Sequence, residues 1–228
     1  MSRVRERLET VFFDIGGVLY DDTVYARALH IALRRMGAAF TDDEFDRVYR
    51  EARAAQSGSF RALLAHRFLG PDADLSALER EASTLWTYPP DALHGDVRRC
   101  LDTLAGRFRL GIIANQPSAV RDVLHRDGLD GYFDAWGVSD DVGIQKPDPR
   151  LFEHVMREAG ASAATSAMVG DRLDYDVRPA KATGMRTVWV LRGEAPDDPT
   201  PDQLAEPDAA VEGLDQLPAA LASLEHAA

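Results

Sequence analysis

Asp14 stands directly after the apolar run Val11-Phe12-Phe13 and is followed by Ile15-Gly16-Gly17. A carboxylate so placed can act as a nucleophile or as an oxygen ligand to a hard cation. The paired glycines permit a tight turn and close approach of backbone N–H groups to a ligand. A denser acidic group, Asp171, Asp174 and Asp176, falls within six residues after Gly170. Lysine is scarce, with Lys146 and Lys181 the only two, and Lys146 sits in Gln145-Lys146-Pro147-Asp148-Pro149. Two carboxylates and a backbone carbonyl form a hard oxygen site suited to Mg²⁺ rather than zinc, and lysine brings the positive charge that a phosphoryl group needs. Each residue also has a plainer explanation. Asp and Gly are ordinary turn residues, carboxylates at a helix start are favoured by its dipole, and most lysines are solvated.

The elements that must position these residues alternate along the chain. Short β-type runs at 10–13, 110–114, 135–139, 166–169 and 187–191 are separated by helical patterns at 95–106, 118–128, 149–160 and 175–184. This alternation implies a doubly wound α/β fold with a parallel sheet, in which ligands bind outside the carboxyl ends of the strands. Asp14, Asn115, Lys146 and Asp171 all follow such ends, so they are expected to converge on one crevice. Gly128, Gly160 and Gly184 sit where left-handed helix caps are expected. The stretch 20–90 breaks the alternation with four helical patterns, 23–36, 42–55, 60–69 and 75–86, and reads as an insertion. Thr41 and Glu44 within it have capping-box spacing. The expected division is a core of 1–19 and 91–228 with a helical cap of 20–90. The tail 193–208 is rich in Pro and Asp and reads as an irregular loop, before a closing helix at 214–224.

Net charge is −12, from 38 acidic against 26 basic residues, which opposes nonspecific binding to nucleic acid and to anionic membranes. Cys100 is the single cysteine, so an internal disulfide and a thiolate metal cluster are both excluded. The first ten residues carry three arginines without an apolar stretch of signal-peptide length, and no apolar run suits a membrane span. A cytoplasmic protein is expected.

With Asp14-Ile15-Gly16-Gly17-Val18-Leu19 as first motif, Lys146 as third and Gly170-Asp171-Arg172-Leu173-Asp174-Tyr175-Asp176 as fourth, the sequence resembles the haloacid dehalogenase-like hydrolases over about 10–191. The resemblance implies a Rossmann-like core with an inserted helical cap. It implies that Asp14 attacks phosphorus and becomes an aspartyl phosphate, and that Mg²⁺ is held by Asp14, the Gly16 backbone carbonyl and Asp171. Asp176 would bind the metal's water shell or orient Lys146, which would neutralise Asp14 and a phosphoryl oxygen. Gly17 and Asn115 would join Lys146 in binding the phosphoryl group of a small-molecule phosphorylated substrate.

Two positions depart from the phosphatase pattern. Gly16 replaces a second aspartate that serves as general acid and base, and Ala114 replaces a hydroxyl residue, with Asn115 beside it as an alternative donor. Loss of acid–base help should cost about 10²–10⁴ in rate and favour substrates with good leaving groups. Rivals are a haloacid dehalogenase, which needs neither metal nor acid, and a binding protein that turns over poorly. A phosphonate-cleaving enzyme would need a cap lysine, and 20–90 contains none. Asp171 favours the metal-dependent phosphoryl reading. Asp21 and Asp22 could supply a replacement acid, but helix capping explains them more simply. His94 reads as a loop residue, Asp174 as a cap or surface residue, and Trp86, Trp136 and Trp189 as packing.

Overall fold

The computed structural model describes residues 6–226; the arginines at 3 and 5 lie outside the described residues. Among the described residues six strands form one parallel sheet: β1 (Thr10–Phe13), β2 (Arg109–Ala114), β3 (Ala135–Val138), β4 (Ser166–Gly170), β5 (Arg186–Val190) and β6 (Ala209–Val211). Their order is β3-β2-β1-β4-β5-β6, the doubly wound arrangement. The first five lie within one residue of the sequence expectation at each end. Alternation along the strands divides the core between two faces. Val11, Phe13, Ala167 and Val169 point to one, and Phe12 and Met168 to the other.

Four helices are inserted between β1 and β2: α1 (Thr23–Arg35), α2 (Asp42–Ala55), α3 (Phe60–Leu69) and α4 (Leu75–Ser83). They enclose a core of their own, with Leu29, Leu33, Phe45, Leu64 and Leu78 buried at its centre. The capping box at Thr41 and Glu44 is present. Helix α4 stops short of the expected 86, because Ser83 and Thr84 turn their hydroxyls onto the carbonyls of Glu79 and Glu81. The chain enters and leaves the insertion side by side. Asp21 N–H donates to Ala92 O at 2.8 Å, His94 N–H to Leu19 O at 3.0 Å, and Tyr20 stacks on Tyr88 at 4.7 Å.

The remaining helices cover the sheet. Following α5 (Val97–Ala105), α6 (Val120–Arg126) and the short α7 (Ser139–Val142) come α8 (Pro149–Glu158), α9 (Arg178–Ala182), α10 (Pro201–Ala205) and α11 (Leu217–His226). Helices α5, α6 and α11 bury their apolar stripes on the Phe13 face, and α8 and α9 on the Phe12 face. Gly128, Gly160 and Gly184 have φ of +62°, +59° and +93°. Two expectations are corrected. The stretch 193–208 is not wholly irregular, since Thr200 and Gln203 form a capping box that starts α10 and leads into β6. The single helix expected at 175–184 is a π-turn, Leu173–Val177, followed by α9, with Val177 N–H bonded to Arg172 O at 3.1 Å.

Candidate functional site

Asp14 begins where β1 ends, its N–H bonded to Val169 O of β4 at 2.9 Å. Asp171 follows Gly170 at the end of β4. These neighbouring strands are where the strand order reverses, so both carboxylates open onto the crevice that such a reversal creates. Lys146 reaches the same crevice from the loop after α7. Its Nζ lies 2.9 Å from Asp14 Oδ1 and 2.6 Å from Asp176 Oδ1, with the side chain 2% exposed. Carboxylate oxygens of Asp14, Asp171 and Asp176 all lie within 4.8 Å of one another.

Asp176 is fixed from both sides. Its Oδ1 accepts from Lys146, and its Oδ2 accepts from Arg172 N–H at 3.0 Å. The Asp176 carboxylate thus bridges the Lys146 ammonium and the Arg172 backbone. Asp171 Oδ2 accepts from Glu194 N–H at 2.7 Å, and Trp189 Nε1–H donates to Asp171 O at 2.8 Å. The Asp171 carboxylate lies in a slot between Gly17 and Gly193, whose φ values are +67° and +61°. A Cβ at either would overlap it.

Gly17 is therefore needed for what it lacks. Its N–H is already spent on Tyr20 O at 2.8 Å, which corrects the expectation that it would bind a phosphoryl group. Asn115 is corrected in part. Its amide donates to Lys146 O at 2.9 Å and its Oδ1 accepts from Lys146 N–H at 2.7 Å, so it clamps the backbone of Lys146 and keeps one amide hydrogen for a ligand. Asp174 pairs with Arg172 at 2.8 Å.

Crowding of carboxylates governs the electrostatics. Burial lifts the Asp14 carboxyl to about 6 against the pull of Lys146, with Asp176 adding to the rise. Asp171 is held well above the usual range by burial and then by Asp14 and Asp176. Burial works against the Lys146 ammonium, but Asp14 and Asp176 outweigh it and raise its pKa. One ammonium thus faces three carboxylates. The donor set is all oxygen and carries surplus negative charge, which fits a hard divalent cation.

The site forms the floor of a cavity of about 540 Å³. The insertion supplies the opposite wall, including Tyr25, Arg61, Glu79 and Trp86. Trp86, expected to be a packing residue, packs edge-on against Tyr88 at 5.0 Å and also lines the cavity. Trp189 is buried packing that also serves the site through its bond to Asp171. Glu194 and Arg172 were missed: they pair at 2.7 Å beside Asp171. Gly193, next to Glu194, was the one local signal. Asp22, expected to cap α1, makes no side-chain cap bond and takes a hydrogen bond from Tyr88 Oη at 3.0 Å. His94 lies outside the cavity lining.

The haloacid dehalogenase-like hydrolase family model matches residues 8–184. A phosphoserine phosphatase of Thermus thermophilus is 30% identical over 95% of this chain and 83% of its own length. A glyceraldehyde 3-phosphate phosphatase of Methanothermobacter thermautotrophicus is 30% identical over 80% and 85%. Among solved structures, a HAD phosphatase from Thermococcus onnurineus superposes with a TM-score of 0.61 at 25% identity, covering 94% of this chain and 98% of that one.

Proposed function

The chain belongs to the haloacid dehalogenase-like hydrolase family, and from that premise we propose that it is a magnesium-dependent phosphatase of small phosphate esters, working through a phosphorylated Asp14. One observation carries the reading: Lys146 bridges Asp14 and Asp176 at 2.9 and 2.6 Å beside Asp171, where the strand order reverses. Asp14 attacks the phosphorus, and Lys146 neutralises the carboxylate and an oxygen of the incoming phosphoryl group. Asp176 holds the ammonium in place. The Asp14 carboxylate, the Gly16 carbonyl and Asp171 would hold Mg²⁺, which when bound would offset the repulsion between nucleophile and phosphate. Water then hydrolyses the aspartyl phosphate.

The segment 20–90 acts as a cap over a core of 1–19 and 91–228, and its cavity wall selects the alcohol part of the ester. The relatives named for phosphoserine and glyceraldehyde 3-phosphate support a small phosphorylated substrate. Among the described residues no helix is long and apolar enough to cross a membrane. The test is a phosphate-release screen with magnesium and with chelator, using Asp14→Asn as control. Release that needs magnesium and Asp14 is expected. Halide release from a 2-haloacid in chelator would replace this reading with a dehalogenase.

A further inference from the structure

Transfer of a phosphoryl group from an alkyl ester leaves an alkoxide that needs a proton, and the water that cleaves the aspartyl phosphate must lose one. Asp14 and Lys146 are engaged in the attack itself. Among the other acidic side chains lining the cavity, Asp171 and Asp176 belong to the oxygen cluster, Glu79 pairs with Arg61 at 2.7 Å and Glu194 pairs with Arg172 at 2.7 Å. Asp140 is exposed at the rim. Asp22 is the one left, a carboxyl whose side-chain partner is a tyrosine hydroxyl rather than a cation.

Its position is specific. A Cβ built on Gly16 would lie 2.5 Å from Asp22 Oδ1 and 3.0 Å from both Cγ and Oδ2, inside van der Waals contact, so the carboxyl packs directly on the bare Cα of Gly16. The Asp22 carboxyl thus occupies the space where a side chain at 16 would begin, on the same side of the cavity. It is not held there by helix capping. The start of α1 is served instead by Asp21, which accepts from Thr23 N–H at 2.9 Å and from Thr23 Oγ1–H at 2.8 Å. Tyr88 Oη donates to Asp22 and is itself contacted by Gln116 Nε2–H at 3.3 Å, so the carboxyl is aimed by both linkers of the insertion and by the loop after β2.

We propose that Asp22 is the proton-transfer carboxyl of this site, reaching from the entry of the insertion into the place left open by Gly16. As an Asp14 oxygen bonds to phosphorus and the bond from phosphorus to the leaving oxygen breaks, that oxygen keeps the electron pair and takes the proton of Asp22. The resulting carboxylate then takes a proton from water as the water oxygen attacks phosphorus. The Asp14–phosphorus bond breaks, phosphate leaves, and Asp22 is protonated again. With this carboxyl in place, the enzyme handles alkyl esters and not only those with good leaving groups.

This inference rests on the phosphatase reading, and the test separates the two. Rapid mixing with magnesium compares glycerol 2-phosphate, an alkyl ester, with 4-nitrophenyl phosphate, whose leaving group needs no proton. Asp22→Asn should lower alkyl turnover by about 10²–10⁴-fold, while the aryl ester gives a burst of one nitrophenolate per site and then a slow steady state. Gly16→Asp alone should lose activity by crowding Asp22, whereas Gly16→Asp with Asp22→Ala should exceed Asp22→Ala by at least about tenfold on the alkyl ester. Equal losses on both esters without a burst, or a paired variant no better than Asp22→Ala, would overturn the assignment. A wild-type chain inactive on both esters overturns the phosphatase reading and this inference with it. A wild type active on both and matched by Asp22→Asn overturns this inference alone.

Discussion

Around Asp14 the polar groups come with fixed partners: Lys146 between two carboxylates, Asp171 on the Glu194 N–H, Asn115 on both backbone groups of Lys146. Across from it the insertion is less committed. Arg61 Nε and Trp86 Nε1 are buried without a hydrogen-bond partner among the described residues, and both side chains line the cavity. A buried donor left without an acceptor costs roughly 1–3 kcal/mol, so such donors mark where a ligand's oxygens gain most. The floor is organised before substrate arrives, as charge stabilisation demands. In the proposed reading the roof keeps its donors for the variable part of the substrate.

The largest predicted effect breaks the floor. Asp14→Asn should lower phosphate release by at least about 10³-fold while leaving the circular dichroism spectrum intact, because the side chain is isosteric and only the nucleophile is lost. Lys146→Met should abolish turnover as well. It should also destabilise the metal-free protein by about 3–5 kcal/mol in urea unfolding, since its carboxylate partners stay buried without their ammonium. Substitution on the roof should look different. Arg61→Ala should change the ratio of kcat/KM between phosphate esters by roughly 10–100-fold, chiefly through KM, and leave formation of phospho-Asp14 possible.

A pH series sharpens the same contrast. Burial raises the Asp14 carboxyl from its ordinary 3.8 to about 6, and Asp171 is raised as well, so the native metal-free chain binds these protons more tightly than the unfolded chain does. The associated stability is fully present below the ordinary carboxylate pKa and is lost as pH rises through about 6. Metal-free Tm should therefore be lower at about pH 7.5 than at about pH 5, and saturating magnesium should narrow the gap, because the cation binds the charged carboxylates. A gap that magnesium leaves unchanged would contradict the shared site. The smallest effect belongs far from the floor. Thr41→Ala removes the capping box of α2 and should cost about 1 kcal/mol in the same unfolding assay, with kcat unchanged.

The floor was legible in the sequence because it obeys two strong rules. Apolar runs alternating with helical patterns give the parallel sheet, and acidic or cationic residues at strand ends then meet at its reversal point, as Asp14, Lys146 and Asp171 do. Gly17 was misread because sequence cannot tell a glycine that offers its N–H from one that makes room for a carboxylate. Asp21 and Asp22 were both read as caps because both stand at a helix start; Asp21 does that work, and only the pairing of the two linkers shows that Asp22 turns inward. Glu194 and the roof residues lie on segments whose facing depends on tertiary packing. β6, three residues long, is too short to show a period.

The account stands on a covalent phosphoryl group at Asp14. The most direct measurement is acid quenching of the enzyme during turnover of a phosphate ester with magnesium, followed by peptide mass mapping. One phosphoryl group on the peptide that contains Asp14, absent in Asp14→Asn, is the expected result. Turnover with no labelled peptide, or with the label elsewhere, would contradict it.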